Sequence, residues 1–156
     1  MRLENFQMLD EVETIDVERL SIVAIARVPY ESPVFDGHFP GYRIMPGVLL
    51  LETMAQAAGY LLMAQNGFAR MPFFASAKTA NFRSFVLPGS VLKVKADCLH
   101  AGSGYAVMTT SLECEGTRVS DAQLTMRTIA FPTPALEQHV RREGQRLGFL
   151  KNAEAG

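Results

Sequence analysis

The stretch Met45–Gly67, MPGVLLLETMAQAAGYLLMAQNG, decides how the rest of the chain is read. Pro46 suits the first turn of a helix, where the N–H it lacks would have no intrahelical acceptor. From Val48 to about Gln65 apolar residues occur nearly all the way round, the pattern of a helix enclosed on most sides. Asn66-Gly67 offers a left-handed stop. A membrane span needs about 20 largely uncharged residues. Because this run carries Glu52, Gln56 and Gln65, it reads instead as a helix buried inside a soluble protein. A carboxylate in such a helix is costly unless paired, which marks Glu52 as a functional candidate. Gln56 lies four residues on and shares its face.

Outward from the helix the texture changes. Leu20–Val28 is β-branched and apolar enough for a strand, and the acidic, weakly periodic Met1–Glu18 before it reads as a short helix or turn. Pro29–Met45, punctuated by Pro33, Gly37, Pro40 and Gly41, reads as an ordered loop. Downstream, Phe73–Phe82 is a strand. Val91–His100 alternates apolar Leu92, Val94, Ala96 and Cys98 with Lys93, Lys95 and Asp97, as a half-buried strand does. Gly102-Ser103 centres a hairpin to Tyr105–Cys114, and Glu115-Gly116 turns the chain into Arg118–Phe131. The order is strand, loop, buried helix, then about four antiparallel strands: an α+β arrangement in which a curved antiparallel sheet could wrap the helix. Residues 135–156 follow as a basic surface helix or tail with frayed ends, in which Leu136, Val140, Leu147 and Leu150 alternate with Arg141, Arg142, Arg146 and Lys151.

Composition narrows the function. A chain of 156 residues, 48% hydrophobic and 20% charged, is sized for one domain. A net charge of -1 excludes the basic excess of a general nucleic-acid binder. The first 20 residues lack the basic start and apolar core of a secretory signal, so a cytoplasmic protein is expected. Cys98 and Cys114 have neither metal-site spacing nor disulfide-scaffold density, and the hairpin leaves them out of register for a disulfide.

One further candidate sits in the loop. His38 lies in Asp36-Gly37-His38-Phe39-Pro40-Gly41, where glycine and proline hold a side chain in a fixed direction. A lone loop histidine is more often structural than catalytic, yet with Glu52 it makes an acid–base couple. Desolvation should favour the protonated, donating carboxyl, while a neutral imidazole accepts a proton near pH 7. The N–H of Gly47, at the helix start, has no intrahelical acceptor and can serve an oxyanion.

The string Gly37-His38-Phe39-Pro40-Gly41, then Met45-Pro46-Gly47-Val48, then Glu52-x-Met54-Ala55-Gln56-Ala57-Ala58-Gly59 closely resembles the signature of the FabZ-type 3-hydroxyacyl-acyl-carrier-protein dehydratases. The likeness continues through Phe74-Ala75, Asn81-Phe82-Arg83 and Val86-Leu87-Pro88-Gly89. It implies a hotdog fold over residues 1–134, an antiparallel sheet around a long central helix. It implies dehydration of a (3R)-3-hydroxyacyl-acyl-carrier-protein to the trans-2-enoyl thioester, in fatty acid or lipid A acyl-chain synthesis. By the same resemblance His38 removes the α-proton, and Glu52 of the second subunit protonates the departing hydroxyl. Gly47 donates to the thioester oxygen, Gln56 orients Glu52, and Phe39 helps bind substrate. A homodimer is then the minimum, with a hexamer, a trimer of dimers, as the larger assembly. Neither metal nor cofactor is required, since the thioester already acidifies its α-carbon. Glu rather than Asp at position 52 resembles the dehydratase-only branch.

The chain departs from the family pattern at its N-terminal segment, at Lys78 and Phe85, and in the tail, which bear on acyl length and assembly. An acidic carrier needs a basic rim, for which Arg43, Arg70, Lys78 and Arg83 are the candidates. Two rival functions share the fold: an acyl thioesterase, and a non-catalytic subunit that binds acyl carrier protein.

Overall fold

Helix α2, Gly47–Gln65, ends where its sequence predicts but begins one residue later, with Pro46 as its extended N-cap rather than in its first turn, and eleven of its residues are buried. The structure, a computed structural model, describes residues 1–149. Around α2 curls a six-stranded sheet of β1 (Glu11–Asp16), β2 (Ser21–Arg27), β3 (Met71–Phe82), β4 (Val91–Gly102), β5 (Tyr105–Cys114) and β6 (Thr117–Ile129). The order across the sheet is β1-β2-β4-β5-β6-β3, antiparallel throughout. This is the hotdog architecture, α+β with the helix held inside the curl.

Period-two burial explains the curl. Ile22, Ala24 and Ala26 of β2, Leu92, Val94 and Ala96 of β4, and Ala106, Met108 and Leu112 of β5 point inward and are buried. Intervening Lys93 and Lys95 face outward and pair with Glu13 (3.1 Å) and Glu113 (2.8 Å). Alanines on both sides, Ala24 and Ala96 on the sheet with Ala57 and Ala58 on α2, let helix and sheet approach closely. The one fully buried hydroxyl on α2, Thr53, donates back to the Leu49 carbonyl at 2.7 Å and so leaves nothing unsatisfied.

Three local expectations change. The segment read as a helix or turn holds a single 3-10 turn, Leu3–Asn5, and then the edge strand β1. Glu11, Glu13 and Asp16 hide that strand's pattern because it is paired on one side only and largely exposed. The Pro29–Met45 loop contains a short helix α1, Pro33–Gly37, capped by Ser32, whose Oγ accepts from the Val34 N–H. The β4–β5 hairpin is centred one residue later, on Ser103-Gly104, whose φ values of 53° and 79° make the turn. Both cysteines are free, with Cys98 opposite Met108 and Cys114 opposite Leu92. Burial pushes the Cys98 thiol up against the smaller effect of a backbone hydrogen bond at His100, which keeps it protonated and inert.

After β6 the chain forms α3, Pro134–Arg146, with Thr133 as its cap. This helix is tied down rather than frayed. Arg141 donates to the Phe68 carbonyl (3.0 Å) and Arg146 to the Leu9 carbonyl (3.0 Å), Leu147 is buried, and Phe149 stacks on Tyr60 at 5.1 Å. Leu150 and Lys151, expected to continue the tail, lie outside the described residues. At the opposite edge, β3 pairs only with β6 and leaves Phe73, Phe74 and Phe82 partly exposed.

Candidate active site

The loop that carries His38 is built by local chemistry. Pro40-Gly41, with Gly41 at φ 78°, occupies the corner of a turn closed by reciprocal backbone bonds between Phe39 and Tyr42. The Met45 N–H donates to the Val86 carbonyl at 2.8 Å and moors the loop to the segment after β3. Within this frame His38 Nδ1 lies 3.3 Å from the Ile44 carbonyl. A carbonyl only accepts, so Nδ1 carries the hydrogen and the Nε2 lone pair is left to take a proton. Phe39, mostly exposed, stacks on the imidazole at 4.3 Å and fixes its plane.

Glu52 is held separately, on the second turn of α2. Gln56 Nε2 donates to Glu52 Oε1 at 2.9 Å and to the Phe6 carbonyl at 2.6 Å, while its own Oε1 accepts from the Met8 N–H at 3.1 Å. With both ends of the amide engaged, its orientation is fixed. Engaged by Gln56, Oε1 of Glu52 acts as an acceptor and leaves Oε2 as the oxygen to carry a proton. Glu52 is half-buried in its own chain, and Gln56 is the side chain that fixes it there. Replacing Gln56 by Leu should therefore lower unfolding stability by about 1–3 kcal/mol. Turnover should fall more than KM rises; urea denaturation and steady-state kinetics check both. An unchanged turnover would deny Gln56 any hold on Glu52.

The two halves do not meet within one chain. The cavity that Glu52 lines includes Gln56 but not His38, Phe39 or Gly47. The Gly47 N–H has no hydrogen-bond acceptor among the described residues, since the first helical bonds to Pro46 come from Leu49 and Leu50. Strand β3 connects the halves: Pro72, Phe73 and Phe74 at its start line the Glu52 cavity, and Phe82 at its end packs against Gly47. The Ile44 carbonyl, the backbone of Phe6 and Met8, and Phe82 are site components that sequence reading missed. Each acts through a fold-dependent contact that no local pattern announces. Tyr60 is different, because its spacing of eight residues from Glu52 already puts it on the same face. Burial, with a smaller contribution from nearby Glu143 and an opposing one from Arg146, raises its hydroxyl to about 12, so it is a neutral wall of the cavity.

The basic rim is smaller than expected. Arg83 pairs with Asp121 at 2.6 Å, and hydrogen bonding from Asn81 and then Arg83 holds that carboxyl below the usual range. Arg70 donates to the Thr128 carbonyl at 2.9 Å. Both are occupied in tying β3 to β6. Among the described residues Arg43 and Lys78 are exposed and form no ion pair.

A family model described as a FabA-like domain matches residues 2–123. The chain is 36% identical over 137 residues, covering 83% of it and 93% of the relative, to a 3-hydroxyacyl-[acyl-carrier-protein] dehydratase FabZ of Symbiobacterium thermophilum. It is 38% identical over 122 residues to the protein of the same name from Thermus thermophilus, covering 77% and 84% of the two chains. Among solved structures, a hypothetical thioesterase with coenzyme A from Streptococcus pneumoniae superposes with TM-score 0.62 at 18% identity, covering 79% of this chain and 88% of that one. The PaaI protein of E. coli does so with TM-score 0.62 at 16% identity, covering 77% and 79%. At those identities the structural likeness speaks for the fold alone.

Proposed function

The chain belongs to the FabA-like domain family, and from that premise we propose how its residues carry out the reaction. It is a 3-hydroxyacyl-acyl-carrier-protein dehydratase of fatty acid biosynthesis, acting on the (3R)-3-hydroxyacyl thioester in the cytoplasm. The observation that carries the reading is the His38–Ile44 contact, which leaves Nε2 as a base in a chain whose relatives are dehydratases. His38 Nε2 takes the α-proton, and charge develops on the thioester oxygen, where the Gly47 N–H receives it. Glu52, as the carboxylic acid, gives a proton to the 3-hydroxyl as the C–O bond breaks. Water leaves, the electron pair of the C–H bond becomes the new double bond, and a proton returns from His38 to Glu52 through solvent.

This assignment needs two subunits. In an antiparallel two-fold pairing of β3 with its copy, the start of one strand lies beside the end of the other. Such a pairing sets the Glu52 cavity of one protomer against the Gly47 and His38 end of its partner. It also satisfies the open edge and brings a second copy beside Phe73, Phe74 and Phe82, exposed apolar residues that a lone edge strand avoids. Arg43 and Lys78 would meet the acidic carrier.

The deciding assay incubates the protein with carrier-bound 3-hydroxyacyl thioesters and follows enoyl product and free thiol together. Enoyl product without thiol is expected. Thiol without enoyl product would make the protein a thioesterase, and neither product would make it a binding subunit.

A further inference from the structure

We propose that α3 is the end wall of the acyl cavity and sets the longest acyl chain this enzyme accepts, an inference that rests on the dehydratase reading above. The family match covers residues 2–123, so α3 lies outside the matched region. The cavity that begins at Glu52 has a volume of about 600 Å³, within the roughly 300–1,000 Å³ range of small-molecule sites. One wall is the α2 face from Glu52 past Tyr60 to Met63, about 16 Å at 1.5 Å per residue. The start of β3 and Met126 form another wall. A substrate whose 3-hydroxyl sits at Glu52 has its acyl tail directed into this space, because the thioester end must reach the partner's loop on the other side.

The far side is closed by α3. Leu136, Val140 and Leu147 project from one stripe of it and line the cavity with His139, Glu143 and Arg146. The two charged members satisfy each other at 2.8 Å, and Arg146 also donates to the Leu9 carbonyl. Leu136, Val140 and Leu147 supply the apolar part of this end surface, against which a hydrocarbon tail can lie, while His139 and Arg146 are exposed. The surface is also a fixed one, since Arg141, Arg146, Leu147 and Phe149 anchor α3 to the connection before β3, to the N-terminal segment and to Tyr60. A wall anchored at its middle by Arg141 and at its C-terminal end by Arg146 acts as a ruler: a tail that reaches it is accepted, and a longer one must displace a docked helix.

The test is the dependence of kcat/KM on acyl length, measured with carrier-bound 3-hydroxyacyl thioesters from butyryl to palmitoyl length. Val140→Phe should move the cut-off to shorter chains and lower the long-to-short ratio of kcat/KM by about tenfold or more, the size that added or missing methylenes produce in an apolar pocket. Leu136→Ala should move the cut-off the other way, so if one variant fails to fold the other still decides. Arg142→Ala, on the exposed face of α3, should keep the wild-type ratio. Length profiles of both cavity variants that superpose on the wild type would overturn the ruler while leaving the dehydratase intact. Absence of dehydration at every length in the wild type would overturn the reading beneath it, and the ruler with it.

Discussion

His38→Ala and Glu52→Gln are each expected to lower turnover of carrier-bound 3-hydroxyacyl substrate by about 10²–10⁴-fold, the usual contribution of a positioned acid or base. Neither change should cost much stability, because His38 makes one 3.3 Å contact with a carbonyl and Gln at position 52 can still accept from Gln56. Mixing the two inactive proteins and letting subunits exchange gives a sharper result. If each site takes His38 from one chain and Glu52 from the other, a mixed dimer holds one intact site and one doubly defective site. Equal mixing should then restore about a quarter of the wild-type activity, from half the dimers carrying half their sites. If both residues served a site within one chain, mixing would restore nothing. That result would refute the β3-paired dimer as the catalytic unit, while loss of activity in the single variants would still support the chemistry.

The ease of reading this chain depended on the range over which each feature is determined. Helix α2 was legible because an apolar run with Pro46 before it and Asn66-Gly67 after it is specified by its own residues. Strands β2, β4, β5 and β6 were legible because one face of each is buried against that helix, which imposes period two. Strand β1 turns only Val12 and Ile15 to the core, a bulge between Val12 and Thr14 breaks its period, and its acidic residues read as a solvated turn. His38 and Glu52 stood out as chemistry: an imidazole in a rigid loop and a carboxylate in an apolar helix. Their surroundings did not. The clasp of Gln56 on Phe6 and Met8 spans about fifty residues of sequence, and the docking of Arg146 on Leu9 spans far more. Local periodicity carries no trace of such contacts, so the tail read as a loose basic helix, although the fold uses it as a wall.

Gly47→Pro isolates the remaining catalytic element, because it removes the proposed oxyanion donor while suiting the local backbone. Pro46 has φ -58° and ψ 135°, the extended conformation required of a residue that precedes proline. Position 47 is the first of the helix, where proline is favoured and its missing N–H breaks no intrahelical bond. Helix α2 should therefore form, with little change in melting temperature. Turnover should nonetheless fall by about 10²–10³-fold, the loss seen when one preorganised oxyanion donor is removed, with KM changed much less. Gly47→Ala keeps the N–H, and its Cβ would meet the Phe82 ring at 3.4 Å, an ordinary contact, so it should lose far less. Equal losses in the two variants would assign the effect to crowding beside Phe82. Full turnover in Gly47→Pro would remove Gly47 from the mechanism and leave the helix N-terminus, through Val48, as the next donor in line.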